Sequence, residues 1–191
     1  MDRPPLNRIT AHAHRWLAEV VRPGDRVLDA TAGNGHDTVF LAELVGRDGH
    51  VLAIDLQATA IDETRAHLTE TGLVDRVDIL QANHADAHEW LAGRSLRAAV
   101  FNLGYLPGGD HAITTRTEST LHALQVTLDH LEPGGRLVIV RYPGHEEGLR
   151  ESEAVQEWAS ALGRPFVAAR YDLLNRPNRP PGLTLVDHTG P

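Results

Sequence analysis

The stretch Val27–Asp37, which reads VLDATAGNGHD, decides how this chain folds. A short apolar strand runs into a turn that contains Gly33 and Gly35, and the first residues of a helix follow. Because glycine has no side chain, the backbone can turn tightly there and a ligand can lie against it. The turn lacks the third glycine of a dinucleotide fingerprint, and the chain contains no G-x-x-x-x-G-K-[ST] phosphate loop. The stretch therefore predicts a pocket for a nucleotide-like cofactor.

A second strand ends in a carboxylate about 20 residues further along the chain, at the spacing expected for a ribose-binding acid. His50–Asp55 reads HVLAID, and Asp55 can accept hydrogen bonds from both hydroxyls of a ribose. Gln57 lies two residues later and can assist it. Since no phosphate loop is present, an adenosine without phosphates is the ligand that these two segments fit best.

Strands and helices alternate along the chain, which predicts an α/β fold with a mostly parallel sheet and helices on both faces. We predict helices at residues 10–21, 36–45, 58–71, 85–92, 117–131 and 149–162, and strands at 26–30, 50–55, 76–81, 97–102, 135–141, 166–173 and 182–188. Only the short segment 175–181 joins the last two strands, so we expect them to form an antiparallel pair.

Polar residues follow four of the predicted strands. In an open parallel sheet, ligands bind beyond the carboxyl ends of the strands, near the point where the strand order reverses. The residues at these positions are Gly33–His36, Asp55–Gln57, the pair Asn83 and His84, and Asn102–Tyr105. Because all four groups of polar residues follow strands whose carboxyl ends share one edge of the sheet, we predict that they form one binding site.

The composition is that of one globular domain of 191 residues, with residues 1–22 forming an N-terminal helix that packs on the core. The hydrophobic fraction is 41%, and the chain has no apolar run long enough for a membrane span and no charged-then-apolar leader. We therefore expect a cytoplasmic protein without a membrane partner.

The chain contains no cysteine, which excludes disulfides and thiolate zinc sites. It also bears on chemistry, because substitution at C5 of a pyrimidine usually needs a cysteine that adds to the ring. If the protein transfers a group to its substrate, a nitrogen or oxygen acceptor is therefore favoured. We expect no metal site, since His84 and His88 share a four-residue spacing but no H-E-x-x-H pattern occurs.

The formal charge of −8 argues against a protein that is held on nucleic acid by bulk charge. All 18 basic residues are arginines, whose forked side chains match phosphate geometry. The last third of the chain holds Arg141, Arg150, Arg164, Arg170, Arg176 and Arg179. These arginines either form a local basic face or are ordinary surface residues.

The turn, the acid at the end of the second strand and the segment Leu131–Gly135 together resemble class I S-adenosylmethionine-dependent methyltransferases. Three further segments make the chain similar to the MnmM-type proteins, also described as rRNA methylases, which methylate the aminomethyl group on the wobble uridine of tRNA. These segments are Asn102–Asp110 (NLGYLPGGD), Tyr142–His145 (YPGH) and Asn175–Pro181 (NRPNRPP). The resemblance covers nearly the whole chain.

This resemblance implies a Rossmann-like fold with seven strands, of which the last is antiparallel, and S-adenosyl-L-methionine as the cofactor. The implied substrate is 5-aminomethyl(-2-thio)uridine in the anticodon region of tRNA, and the implied activity is N-methylation of its primary amine. The sequence leaves open an rRNA or small-molecule N/O-methyltransferase and a non-catalytic adenosine-binding module. It also leaves open whether the protein is a homodimer.

The resemblance also implies roles for the residues around the turn. Asp29 accepts hydrogen bonds from the glycine turn or from the methionine ammonium of the cofactor, while Asn34 and His36 line its methionine or ribose side. Asn83 and His84 lie where the fold holds adenine. Two alternatives stay open: His36 exposed to solvent in the first helical turn, and Asn83 as a helix cap.

The acceptor site implied by the resemblance is Asn102–Tyr105. It corresponds to the [DN]-P-P-[YFW] segment of amino-methylating enzymes, with Leu-Gly in place of Pro-Pro. Asn102 and Tyr105 are the expected catalytic residues; the alternatives are a strand-end cap for Asn102 and a packed rim aromatic for Tyr105. We expect the substrate to contact Tyr105, His111, Tyr142, His145, Arg176 and Arg179.

Overall fold

A computed structural model of the chain describes residues 4–104 and 117–190. The helices are α1 (Ile9–Val20), α2 (His36–Val45), α3 (Ala58–Thr71), α4 (Ala87–Leu91), α5 (Thr117–Asp129) and α6 (Glu146–Ser160). The strands are β1 (Arg26–Asp29), β2 (His50–Asp55), β3 (Val77–Gln81), β4 (Leu96–Leu103), β5 (Leu131–Arg141), β6 (Phe166–Tyr171) and β7 (Gly182–His188). Single 3₁₀ turns lie at Val74–Arg76 and His84–Asp86.

The strands form one seven-stranded sheet in the order β3-β2-β1-β4-β5-β7-β6. All neighbours among β1 to β5 are parallel, whereas β7 is antiparallel to both β5 and β6. The predicted mostly parallel sheet with an antiparallel last strand is therefore confirmed. The strand order reverses between β1 and β4, and a crevice for a ligand forms at such a reversal.

Helices cover both faces of the sheet because the strand side chains alternate between two apolar clusters. Val27, Val51 and Val100 point to the face that carries α1, α2 and α3. Leu28 and Phe101 point to the opposite face, which carries α4, α5 and α6. Each of them directly follows a valine, Val27 or Val100, that points to the first face. The resulting three-layer arrangement is the one that the alternation of elements predicts.

Helix α1 packs on the sheet through an apolar stripe. Ile9, Ala13 and Leu17 recur at intervals of four residues, and all three are buried in the cluster that includes Val138 of β5. The stripe places the polar side of α1 toward solvent and sets the helix beside α2. This packing agrees with the expectation that the N-terminal helix lies on the core.

The elements differ from the predictions in helix type, or by more than two residues at a boundary, in three places. The predicted helix 85–92 begins as the 3₁₀ turn His84–Asp86, and α6 begins three residues earlier than predicted, after a cap at His145. β5 begins at Leu131, because Leu131 pairs with Leu96 before the ladder resumes at Arg136 and Ala98. The intervening residues make an irregularity that sequence periodicity does not reveal.

Candidate active site

The glycine turn joins β1 to α2 at the point where the strand order reverses. The Ala32 N–H donates to the carbonyl of Ile54 on β2 at 2.9 Å, which ties the turn to the neighbouring strand. Gly33 and Gly35 have φ angles of 53° and 79°, in the region where a side chain causes strain. A Cβ on Gly35 would also lie 3.0 Å from the Cα of Thr64. The turn therefore requires glycine for its conformation and for its contact with α3.

Asp55 closes the turn from the end of β2. Its two carboxylate oxygens accept the N–H groups of Gly33 and Gln57, both at 2.9 Å, while the Thr64 hydroxyl donates to the Gly33 carbonyl at 3.0 Å. Because each carboxylate oxygen has two lone pairs, one site on each oxygen remains for another donor. That arrangement fits the two hydroxyls of a ribose. The roles of Asp55 and Gln57 as cofactor contacts stay predictions.

Asp29 lies beneath the turn with none of its surface exposed. It accepts a hydrogen bond from the Thr38 hydroxyl at 2.6 Å and one from the Thr31 N–H at 3.2 Å. Burial and the nearby charge of Asp37 raise its pKa to about 7. The proposed hydrogen bond to the turn is present at Thr31. A contact of Asp29 with the methionine ammonium of the cofactor, direct or through water, stays a prediction.

Asn83 and His84 follow β3, and the hydrogen bonds of both side chains support the local structure. The Asn83 side chain accepts the Ala85 N–H at 2.9 Å, so the capping alternative is the one present. His84 is nine-tenths buried, and its Nε2 donates to the carbonyl of Ala30 at 2.8 Å. Burial lowers the pKa of His84, which favours the neutral ring. Contacts of these two residues with adenine stay predictions.

Asn34 and His36 lie on the exposed side of the turn. The Asn34 carbonyl is 3.3 Å from Nδ1 of His67 on α3, and the His36 ring meets the His67 ring edge-on with centroids 5.1 Å apart. His36 begins α2 and is exposed, as its solvent alternative describes. Both side chains remain available to a ligand placed on the turn.

Asn102 lies at the carboxyl end of β4, directly across from the turn. Its backbone N–H donates to the Thr31 hydroxyl at 2.7 Å, and its side-chain nitrogen donates to Oδ2 of Asp37. The other oxygen of Asp37 contacts Nε2 of His14 on α1. The His14 ring stacks on Phe40, with centroids 3.9 Å apart. Asn102 therefore joins the cofactor turn to a side-chain network that the sequence prediction did not contain.

Two of these network residues were missed for different reasons. Asp37 stands inside the quoted stretch Val27–Asp37, so its place in the first turn of a helix was visible, and that signal could have identified it. His14 is 23 residues from Asp37, and no local pattern connects the two. Only the packing of α1 beside α2 brings them together.

Tyr142 and His145 follow β5 on the same edge of the sheet. A Cβ on Gly104 would lie 3.6 Å from the Tyr142 side chain, so Tyr142 packs against the segment that follows Asn102. Burial, together with the charge of Asp37, raises the pKa of Tyr142. His145 caps α6, because its Nδ1 accepts the Gly148 N–H at 3.1 Å. Substrate contacts of Tyr142 and His145 stay predictions; those of Tyr105 and His111 lie outside the described residues.

Arg176 and Arg179 are exposed in the loop between β6 and β7. Since β6 runs parallel to β1 through β5, its carboxyl end lies at the same edge of the sheet as the turn. Within residues 4–104 and 117–190, neither guanidinium forms an ion pair. Asn178 and Arg179 have φ angles of 60° and 48°, which fixes a sharp reversal in this loop.

The remaining arginines of the last third do not form one basic face. Arg141 is only 3% exposed and donates to Asp172 at 2.8 Å and to Ser152 at 3.0 Å. Arg170 pairs with the same Asp172, and Arg150 pairs with Glu146 on α6. The idea of a face that includes Arg141 is wrong, since a buried guanidinium is out of reach of a phosphate.

The charges around the turn favour a positively charged ligand. Asp29, Asp37 and Asp55 interact electrostatically, and no cation of the described residues other than a protonated His14 pairs with them.

No group of three His, Cys, Asp or Glu residues in the described ranges is arranged to hold a metal ion. None of the described helices is long and apolar enough to cross a membrane.

Comparisons with known proteins agree with this geometry. A family model described as "Putative rRNA methylase" matches residues 51–187, and a model of protein-L-isoaspartate(D-aspartate) O-methyltransferase matches residues 6–92. A protein of Clostridium thermocellum with an rRNA-methylase description superposes with a TM-score of 0.91 at 37% identity, covering 98% of this chain and 99% of that chain. A protein of Streptococcus mutans in complex with SAH gives a TM-score of 0.84 at 34% identity, covering 97% and 98%.

Sheet order, glycine turn and terminal acid define a class I S-adenosylmethionine-dependent methyltransferase, and these relatives bear that out. The chain belongs to the rRNA methylase family, as the resemblance implied. A curated relative from Arabidopsis thaliana, a chloroplastic tRNA (mnm(5)s(2)U34)-methyltransferase, is 36% identical; the match covers 91% of this chain and 67% of the relative.

Proposed function

We propose that this methyltransferase acts on tRNA and methylates the primary amine of 5-aminomethyl(-2-thio)uridine at the wobble position. The observation that carries the proposal is the place of Asn102, whose polar side chain ends β4 directly beside the cofactor turn. The name of the plant relative supports the tRNA substrate. The absence of cysteine from the whole chain supports a nitrogen acceptor.

The donor set of this chain fits S-adenosylmethionine. Asp55 keeps two acceptor sites for the ribose hydroxyls, and Gly33 and Gly35 adopt the positive φ angles that shape the turn beside it. The carboxylates of Asp37 and Asp55 beside the turn favour the positive charges of the cofactor. When bound, the cofactor supplies a methyl group that is already activated by its sulfonium.

The chain itself mainly aligns the acceptor. Asn102 holds the amine of the substrate, and Tyr142 packs beside the segment through which the base enters. Alignment of the amine lone pair with the methyl carbon lowers the entropic part of the barrier. The nitrogen would have to be neutral to form its new bond to the methyl carbon as the bond between that carbon and the cofactor sulfur breaks, and the resulting secondary ammonium would release one proton to water.

We propose that Arg176 and Arg179 bind phosphates of the anticodon stem-loop. Their loop is exposed and lies at the same edge of the sheet as the turn, several strands away from Asn102. Arginine donors suit phosphate oxygens, and a local pair of them does not require a basic protein overall. A cytoplasmic location and a homodimeric assembly remain predictions of this proposal.

The test is methyl transfer to tRNA that carries unmethylated 5-aminomethyl groups. We expect the wild-type protein to convert them in the presence of S-adenosylmethionine, with the product identified by mass spectrometry of the nucleosides. Asn102→Ala should lower kcat about 10²-fold, because misplacement of the amine affects the transition state more than the bound cofactor. Its dissociation constant for the cofactor should stay within about twofold of wild type.

Asn7→Ala is the matched control, since Asn7 is exposed and its side chain forms no hydrogen bond with the described residues. Turnover of rRNA or of small amines, without turnover of tRNA, would replace the proposed substrate by one of the alternatives. Cofactor binding without turnover of any acceptor would indicate an adenosine-binding module.

A further inference from the structure

Three side chains from separate elements form a hydrogen-bonded chain at the acceptor end of the site. His14 of α1 contacts one oxygen of Asp37, in the first turn of α2, and Asn102 at the end of β4 donates to the other oxygen. The side chains of His14 and Asp37 are 28% and 17% exposed, so the series of hydrogen bonds begins near the surface at His14 and leads inward to Asp37. We call these three residues the 14–37–102 network.

The carboxylate of Asp37 fixes which end of the Asn102 amide faces the substrate. An ionised carboxylate only accepts hydrogen bonds, so the amide nitrogen must point toward Asp37. The amide oxygen of Asn102 then points the other way. No donor among the described residues reaches that oxygen, whereas the backbone N–H of Asn102 is already bonded to Thr31.

A primary amine requires this orientation. The amine presents N–H donors, and an amide oxygen is the acceptor that holds them while the nitrogen lone pair stays free for the methyl carbon. Turned by half a rotation, the amide would present its own NH₂ group, which would donate to the amine lone pair and occupy the electrons that must attack the methyl carbon. We propose that Asp37 is a positioning residue that locks Asn102 with its oxygen toward the acceptor amine. This inference rests on the proposed function.

His14 holds Asp37 in place from the opposite side. Its Nε2 must donate, because its partner is a carboxylate, and stacking on Phe40 with an interplanar angle of 5° fixes the ring. The other ionisable groups that act with Asp37 are Asp29 and Tyr142, neither of which supplies a positive charge. His14 is therefore the side chain that orients Asp37 from the side opposite Asn102.

The fold does not depend on this network. Asn102 is held by its ladder to β5 and by Thr31, whereas α2 is anchored by the buried side chains of Leu41 and Val45. Loss of the Asp37 side chain should therefore leave the sheet and the cofactor turn in place. That separation makes the proposal testable by substitution.

The first test is Asp37→Ala, with Asp62→Ala as the control. Asp62 is an exposed aspartate on α3, so its removal changes the net charge equally without touching the network. We expect Asp37→Ala to lower kcat about 10²-fold, as expected when a reacting group is misplaced by about 1 Å, with the KM for S-adenosylmethionine changed less than about threefold. A kcat equal to that of Asp62→Ala would overturn the proposal, and so would a loss confined to cofactor affinity.

Two further variants separate positioning from a general structural effect. His14→Gln keeps a donor toward Asp37 and should retain more kcat than His14→Ala. Asn102→Asp places two carboxylates side by side and should be nearly inactive; adding Asp37→Asn restores a donor–acceptor pair and should recover part of the activity. Absence of any recovery in a double variant that retains the wild-type melting temperature would contradict the proposed orientation.

A measurement without substrate keeps the test independent of the proposed function. The side-chain NH₂ signal of Asn102, identified by its loss in Asn102→Ala, should move when Asp37 is replaced by alanine and should stay in place in Asp62→Ala. An unchanged signal would overturn the positioning role. If the wild-type protein leaves tRNA unmodified, the proposed function fails, and the NMR result then decides on the orientation of the amide alone.

Discussion

At the scale of single residues, the three aspartates around the turn differ because their surroundings differ. Asp29 is fully buried, and burial raises its pKa to about 7. Asp55 is partly exposed and accepts two backbone N–H groups. Asp37 accepts hydrogen bonds from two side chains, His14 and Asn102. The three aspartates thus differ in burial and in the kind of donor that each of them meets.

Asp29 should make the stability of the protein depend on pH. Its folded-state pKa, about 7, lies above the ordinary value of 3.8, so the folded state binds the extra proton between these values. Its contribution to stability is present at low pH and is lost as the pH rises toward 7. Asp29→Asn removes the ionisation while it keeps an acceptor for Thr31. Between pH 5 and pH 8 the unfolding free energy of the wild type should fall by about 1–3 kcal/mol more than that of Asp29→Asn.

Urea unfolding at both pH values measures this difference. Asp75→Asn serves as the control, because Asp75 lies in the 3₁₀ turn before β3, away from the site. Parallel pH profiles for wild type and Asp29→Asn would show that Asp29 is ionised throughout the range.

At the scale of elements, the turn between β1 and α2 works only when α3 lies close to it. The Thr64 hydroxyl donates to the Gly33 carbonyl, and Gly35 fits against the backbone of Thr64 without space for a side chain. Asp55 joins the same turn to β2. The cofactor pocket is thus formed by contacts among three elements as well as by its glycines.

Gly35→Ala should damage the turn by two effects that a control can separate. The alanine meets the unfavourable positive φ of 79° and a contact of 3.0 Å with the Thr64 Cα. Gly72→Ala has a similar φ of 70° but nothing within 4 Å. We expect Gly72→Ala to lose about 1 kcal/mol of stability, and Gly35→Ala to lose about 2 kcal/mol or more.

Chemical denaturation measures both losses, and calorimetry measures the affinity for S-adenosylmethionine. Only Gly35→Ala should weaken cofactor binding. A loss of about 1.4 kcal/mol in binding free energy corresponds to a tenfold weaker affinity, and we expect at least that loss. Equal affinities in the two variants would mean that the turn does not contact the cofactor.

At the scale of the whole molecule, the sheet order collects the site and the arginine loop at one edge. β7 is inserted between β5 and β6, and this makes β6 parallel to the first five strands. The loop after β6 therefore opens on the same side as the turn and Asn102. The proposed tRNA substrate would therefore meet the turn, Asn102 and the arginine loop from the same side of the molecule.

Replacing Arg176 and Arg179 together by glutamine should weaken tRNA binding without changing the cofactor site. We expect a higher KM for tRNA and a salt dependence flatter by about one unit for each lost phosphate contact. The control variant replaces Arg26 and Arg47, which are exposed at the opposite edge of the sheet. Steady-state kinetics over a range of salt concentrations, with calorimetry for the cofactor, measure both effects. Wild-type kinetics in the Arg176 and Arg179 variant would place the RNA surface elsewhere.

The sequence by itself determined the order of the elements, the glycine turn and the residues at the strand ends. Those features are local: apolar side chains alternate along a strand, and Gly33 and Gly35 have the backbone freedom that a turn needs. Because parallel strands must return to the same edge, the sequence also predicted that Asp55 and Asn102 would lie near the turn.

Only the tertiary structure decided which side chains meet. It buried Asp29 and Arg141, assigned Asn83 a capping role, and joined His14 to Asp37 across two helices. Burial and hydrogen-bond partners depend on how helices pack on the sheet, and residues far apart in sequence leave no periodic signal of that packing. The orientation of the Asn102 amide follows from this packing, because it depends on a carboxylate that α2 brings to the end of β4.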